Sequence, residues 1–258
     1  MNLTVVIPIH KLEPDKRERI SLERVVKVLD KINCTAIVPE SLNISYYTIN
    51  FPTICFEKFP DKYFVNIDGY NRLMLSEQFY SRFEGSEYIL IYQLDSYIFR
   101  NDLEFWCKQG YDYIGAPWVK REEYNSFLIG IYLKAESLIN KLLKRPDRTE
   151  LFNLVGNGGF SLRKTSSHLN AVRDCKEEID DMLSKKRHHM YNEDVFFSYH
   201  VNRVGKVKFS YPSWESSLMF SFDKNPDYCF RLNGERLPMA CHGWTKKRFY
   251  PFWEKYIK

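Results

Sequence analysis

Residues 89–99 read Ile-Leu-Ile-Tyr-Gln-Leu-Asp-Ser-Tyr-Ile-Phe, an apolar run that stops at a lone carboxylate, Asp95, and then resumes. Branched and aromatic residues in this density form a buried strand, and a charge is costly there unless something pairs with it. A carboxylate where such a strand ends is placed to hold a metal ion or a sugar at the edge of a sheet; the alternative is a turn cap. Outward from this strand the chain alternates between short aliphatic runs and helical periodicities. Thr4–Ile9 reads as a first strand and Ile20–Ile32 as a helix with Ser21 near its start. Thr35–Val38 gives a second strand, so the chain opens β-α-β with a right-handed crossover. Gly69–Phe83 reads as a helix, Tyr88–Leu94 as the central strand, Leu103–Lys108 as a short helix and Tyr111–Ala116 as a strand. A helical stretch covers Ala135–Leu143. Gly159–Arg163 is a strand after a glycine turn, 165–186 is mostly helical, and Val207–Phe209 is a strand. The pattern implies an α/β fold with a Rossmann-like, mostly parallel central sheet flanked by helices. With no repeat or low-complexity linker, residues 1–258 read as one domain, regular over 1–118 and more irregular over 119–258.

Composition narrows the function. The 258 residues are enough for a sizeable core, and the net charge of +5 is a mild excess that suits a nucleotide diphosphate or an anionic membrane surface. It is too small to argue for nucleic acid, and neither a zinc finger nor a helix-turn-helix is present. Aromatic residues reach 16%, with 18 Tyr and 19 Phe, which suits stacking on sugars as well as a ring-rich core. Six cysteines at 34, 55, 107, 175, 229 and 241 include no CxxC pair, the pattern of reduced thiols in a cytoplasmic protein. The N-terminus lacks the basic lead of a signal peptide, and no stretch approaches the ~20 apolar residues of a membrane span.

Several short strings carry chemistry. Gln93-Leu94-Asp95 ends the central strand with one carboxylate and one amide able to hydrogen-bond a ribose hydroxyl. Val155–Arg163 places Gly156, Asn157, Gly158 and Gly159 together, a loop whose glycines allow positive φ and close backbone approach to a ligand, or a tight turn entering a strand. In Asn192-Glu193-Asp194, one carboxylate can accept a proton from a hydroxyl while the other orients it; a helix cap and first turn is the alternative. His242, between Cys241 and Gly243-Trp244, can ligate a divalent metal, with Trp244 stacking on a sugar, or be structural. Tyr70 and Arg72, with Asn71, open a helix where they can meet a base and phosphates. Gly115-Ala116-Pro117-Trp118 offers a pocket wall or a core ring. The Lys/Arg-rich stretch 185–189 with His188-His189 reads as a solvated basic face. The tail Lys246–Trp253 mixes bases and rings, which suits a membrane interface or a segment packed on the domain.

In order, these strings resemble the glycosyltransferases of the GT-A fold, and more closely a bacterial family of glycosyltransferase-like domains of poorly defined activity. The resemblance rests on Val5–Pro8, Gly69–Leu75, Tyr92–Asp95, Tyr111–Trp118, Gly156–Arg163, Asn192–Phe197 and Cys241–Trp244. It implies that Asp95 is the metal-binding Asp of Asp-x-Asp, with Gln93 where the first Asp stands, and that His242 completes the coordination of Mn²⁺ or Mg²⁺. It implies Asp194 as the general base of an inverting reaction beside Glu193. Asn157, Gly158 and Gly159 would hold donor sugar and acceptor, with Pro8, Tyr70, Asn71, Arg72, Gln93, Trp118 and Trp244 as further contacts, 1–118 being the nucleotide-binding half and 119–258 the acceptor-binding half. The expected activity is transfer of a hexose from a nucleotide-sugar, UDP-linked, to a glycan or lipid-linked glycan in polysaccharide biosynthesis, in the cytoplasm or at the inner face of the membrane. The rivals are a silent sugar- or nucleotide-binding module of the same fold, and a metal-dependent hydrolase using Asp95 and His242.

Overall fold

A computed structural model describes residues 2–143, 145–185 and 188–257. Its centre is a six-stranded sheet built from β1 (Leu3–Pro8), β2 (Asn33–Pro39), β3 (Ile54–Phe59), β4 (Tyr88–Tyr92), β6 (Tyr113–Gly115) and β7 (Phe160–Lys164). The strand order is β3-β2-β1-β4-β7-β6, and β7 alone runs against its neighbours. A second, three-stranded sheet pairs β5 (Tyr97–Ile98), β9 (Ala240–Cys241) and β8 (Ser221–Phe222).

Both faces of the central sheet are covered, so its strands are continuously apolar. Leu3, Val5 and Ile7 of β1 join Tyr88, Leu90 and Tyr92 of β4 in one cluster, closed by Leu22 and Val25 of the Lys16–Val28 helix. Val6, Ile89 and Ile91 point the other way, onto Leu73, Phe79, Leu169 and Phe197. Val5, Val6, Ile7, Leu90 and Ile91 are wholly buried, and each contributes about 1.5–3 kcal/mol on transfer from water. A third cluster joins Tyr97, Phe222, Trp244, Phe252 and Trp253 behind the small sheet. The C-terminal rings thus pack on the protein, and the Arg17 guanidinium lies 4.2 Å over the Tyr250 ring.

Most of the expected elements are present, several with shifted ends. The first helix starts at Lys16 because Asp15 accepts from the Arg17 and Glu18 amides while Glu18 accepts from the Asp15 amide, a capping box in a polar stretch that apolar periodicity does not mark. Ser21 is therefore a buried mid-helix residue. The Gly69–Phe83 helix is two helices, Ile67–Met74 and Glu77–Ser81, separated where the Ser76 hydroxyl caps the second. Val207–Phe209 is no strand: Asn202 accepts from the Phe209 amide and donates to its carbonyl, supplying bonds a neighbouring strand would have made. No helix of the described residues is long and apolar enough to cross a membrane.

Candidate active site

The chain lays β1, β2 and β3 outward on one side and then returns to place β4 on the other side of β1, so the strand order switches between β1 and β4. Open α/β sheets bind ligands outside the carboxyl ends of the strands at such a point. A cavity of about 520 Å³ lies there, lined by Pro8, Lys11, Tyr47, Tyr70, Gln93 and Asp95 among others. A second cavity of about 460 Å³ adjoins it through Ile67, Tyr70 and Gln93, and is lined by Trp118, Asn157, Gly158, Gly159, Asp194 and His242 among others.

Asp95 lies just past β4, within a turn in which the Ser96 amide donates to the Gln93 carbonyl. His242 follows β9, its amide held by the Phe222 carbonyl at 2.8 Å. The small sheet thus carries His242 to the end of β4: its Nε2 is 3.0 Å from Asp95 Oδ1 and 3.2 Å from Gln93 Oε1. Its Nδ1 meets Asp223 Oδ1 at 3.0 Å, just beyond β8, and Lys246 Nζ lies 4.0 Å from Asp95 Oδ2. Burial opposes charge on His242, but Asp95 and Asp223 outweigh it and raise the ring to about 9. Burial likewise pushes the Asp95 carboxyl up, yet His242 and Lys246 hold it below its ordinary value. Asp223, also buried, is held low by its bond to His242.

An Asp on Nδ1 fixes the imidazole so that Nε2 points at two oxygens, the arrangement by which carboxylates orient metal-bound histidines. Asp95, Gln93 and His242 therefore make an O,O,N donor set that suits a hard divalent ion sharing oxygens with a diphosphate. Among the described residues, no cluster of three or more His, Cys, Asp or Glu side chains is placed to hold a metal; the third protein donor is the Gln93 amide.

The acid pair rests on a buried scaffold. Asn71 Nδ2 donates to Asn192 Oδ1 at 3.2 Å, and Asn71 Oδ1 accepts from the Glu193 amide at 3.1 Å, so a neighbouring helix supplies the cap expected of Asn192. Glu193 turns inward to Arg163, with Nη2 2.9 Å from Oε2, both side chains almost wholly buried. Arg163 also donates to Tyr80 Oη and Ser161 Oγ, each at 3.0 Å. Asp194 turns to the cavity, accepting from the Val195 amide at 2.9 Å and from the Gly158 amide at 3.4 Å. Burial first, and then the Glu193 charge, raise its carboxyl to about 7.

In the Asn-Gly-Gly loop the left-handed residue is Asn157, with φ 53°; its glycines serve close approach instead. A Cβ on Gly158 would stand 1.9 Å from Glu193 Oε1, and one on Gly159 2.3 Å from His242 Nε2. The loop is thus the floor joining the acid pair to the His242 cluster.

Two expected contacts lie elsewhere. Arg72, two residues past Tyr70 and so on the far side of its helix, donates to the Leu183 carbonyl at 3.0 Å and lines neither cavity. Trp244 is buried in the third cluster, its Nε1 donating to Ser21 Oγ at 3.0 Å, and presents no ring to a sugar. Trp118, in contrast, lines the second cavity. His188 accepts from the Met190 amide, His189 lines the second cavity, and residues 186 and 187 of the basic stretch lie outside the described residues. Asp223 and Arg163 have no role among the sequence expectations, and Lys246 stands there only as part of the basic, ring-rich tail. Asp223 carries the same signal as Asp95, since it ends the apolar run Leu218–Phe222 with a carboxylate.

A mostly parallel six-stranded sheet between helices, with one reversed strand, matches GT-A glycosyltransferase structures. The chain superposes on mouse xyloside xylosyltransferase 1 in its apo form with a TM-score of 0.55 at 11% identity, covering 94% of this chain and 98% of that one. For the galactosyltransferase LgtC with donor and acceptor sugar analogues, the TM-score is 0.52 at 12% identity, covering 98% and 95%. For the bifunctional glycosyltransferase WbbM it is 0.50 at 13%, covering 93% of this chain and 45% of that one. At these identities the likeness is one of fold. Residues 53–242 match the family described as "Protein of unknown function (DUF5672)", and the chain belongs to that family. No curated protein matches it.

Proposed function

We propose that the protein transfers a sugar from a nucleotide diphosphate donor, UDP-linked, to a hydroxyl of a glycan acceptor. The observation that carries this reading is the junction of the two cavities. One lies at the β1/β4 switch point, where a nucleotide fits, and the other holds a carboxyl raised to about 7, where an acceptor hydroxyl would be deprotonated.

The reaction is an in-line displacement with inversion. The acceptor oxygen attacks the anomeric carbon, the bond from that carbon to the diphosphate oxygen breaks, and its electron pair leaves with the nucleoside diphosphate. Asp194 takes the acceptor proton, a task suited to a carboxylate that titrates near the working pH. Glu193, held by Arg163, positions Asp194 without contacting substrate. The bare Gly158 and Gly159 backbone lets Glu193 and His242 stand close against the loop, and Lys246 brings positive charge beside Asp95, toward the departing diphosphate. Asp95, His242 and Gln93 would hold Mn²⁺ or Mg²⁺, which when bound supplies further positive charge to the diphosphate.

The test is nucleotide release by purified protein with candidate UDP-sugars and glycan acceptors. Asp194→Asn is expected to lower turnover by roughly 10²–10⁴-fold while leaving UDP affinity intact; unchanged turnover removes Asp194 as base. A second reading, a binding module without turnover, draws on the Gln93 amide standing where a second carboxylate would strengthen a metal site. Calorimetry showing UDP and Mn²⁺ binding with no release in any acceptor mixture would favour it. Release indifferent to acceptor would favour a hydrolase.

A further inference from the structure

The helix Phe127–Leu142, Phe-Leu-Ile-Gly-Ile-Tyr-Leu-Lys-Ala-Glu-Ser-Leu-Ile-Asn-Lys-Leu, is turned inside out for a surface helix of a water-soluble protein. At 3.6 residues per turn, Phe127, Leu128, Ile131, Tyr132, Leu138 and Leu142 fall within one arc of about 140°. All six are exposed: Phe127 by 79%, Leu128 by 78% and Leu142 by 75%. No charged residue interrupts that arc. The opposite side is polar and faces the protein. There Leu133 is the one buried apolar side chain, Ser137 donates to the buried Asp147 carboxylate, and Glu136 pairs with Arg148 at 3.2 Å. A contiguous apolar face of this size marks an interaction surface.

Charge decides what covers it. Lys134 and Lys141 lie along one edge of the arc, both exposed. Glu136 is the helix's one acid, and Arg148 neutralises it. An apolar face rimmed by cations is the pattern of a helix lying in the headgroup region of a bilayer, rings and aliphatics in the acyl boundary and ammonium groups on anionic lipid. A second copy presents the same cationic edge and offers it no opposite charge, whereas anionic lipid does. We propose that this helix docks the protein on an anionic membrane surface. It does so beside the second cavity, because the segments flanking the helix supply cavity residues on both sides, Arg121 and Tyr124 before it and Arg148 and Phe152 after it. The packed C-terminal rings take no part.

The experiment is co-sedimentation of the full chain with vesicles of phosphatidylcholine alone and of phosphatidylcholine with phosphatidylglycerol, alongside sedimentation velocity without lipid. Binding is expected to the anionic vesicles, weakening as salt is added. It should fall at least about tenfold in L128E/L138E, which puts two carboxylates into the exposed apolar face, and in K134E/K141E, which reverses the rim. As a spectroscopic reporter, F127W should shift its emission to the blue on anionic vesicles and not in buffer. Protein that stays in solution with both vesicle types overturns the proposal. So does a dimer in buffer that L128E/L138E dissolves, which would make the face a contact between copies, and so does binding that ignores both the lysine reversal and salt.

Discussion

Arg163→Met is the sharpest perturbation the structure offers, because one buried guanidinium holds the acid pair in place. Arg163 is fully buried, meets Glu193 at 2.9 Å, and donates to Tyr80 and Ser161. Removing one member of such a pair leaves the other charge buried without its counter-ion, at a cost of about 3–5 kcal/mol. For a chain of this length each kcal/mol lowers the melting temperature by roughly 2–4 °C, so a fall of roughly 6–20 °C is expected in a thermal melt followed by circular dichroism. The double variant Arg163→Met/Glu193→Leu should recover most of that loss, because it leaves no buried charge behind. It also removes the second contributor to the raised Asp194 carboxyl, so the acid limb of the pH–rate profile should move to lower pH. A loss under about 1 kcal/mol in the single variant is the size seen for exposed pairs, and would refute the reasoning. A double variant no more stable than the single would refute it equally.

Asp194 predicts a pH dependence of stability. Its carboxyl is raised from 3.8 to about 7 by folding, so the native state holds the proton more tightly than the unfolded chain. The stabilisation is complete below the unfolded value and is lost as pH rises through about 7, amounting to at most about 4 kcal/mol. Asp194→Asn should be more stable than the parent in urea melts at pH 8 and nearly equal to it at pH 4; parallel pH profiles would count against the assignment. Gly159→Ala would set a methyl 2.3 Å from His242 Nε2 and 2.7 Å from Gln93 Oε1, so the ring must leave Asp95. NMR titration should then find His242 below its raised value of about 9, and a ring unmoved would show that the loop yields instead. Mn²⁺ binding measured by calorimetry with UDP should strengthen roughly tenfold for each unit that pH rises toward about 9, since the ion must displace the His242 proton, and should vanish in His242→Ala. Heats indifferent to pH would place the ion elsewhere.

The parts of the fold legible in the sequence are those whose burial is written in consecutive residues. Val5-Val6-Ile7 and Ile89-Leu90-Ile91 are apolar on both faces because helices cover both faces of their sheet, and Leu103–Lys108 matches its helix end to end. What escaped reading depends on partners distant in the chain. β3, Ile-Cys-Phe-Glu-Lys-Phe, carries charges because it is an edge strand paired only with β2. β8 and β9 are two residues each and exist only through each other and β5. Those three small strands bring His242 and Asp223 to Asp95 across 147 and 128 positions of sequence (242 − 95 and 223 − 95). A carboxylate ending an apolar run is a local signal, and it marks both Asp95 and Asp223 equally. Which one meets the Nε2 side of the imidazole and which the Nδ1 side is decided by the pairing of β5, β9 and β8. The same holds for the acids at 193 and 194. Adjacent in sequence and identical in charge, they part company because Arg163 waits inside the protein for Glu193 while the Gly158 and Val195 amides face the cavity for Asp194. Residue type proposes the chemistry, and tertiary placement assigns which copy of that type performs it.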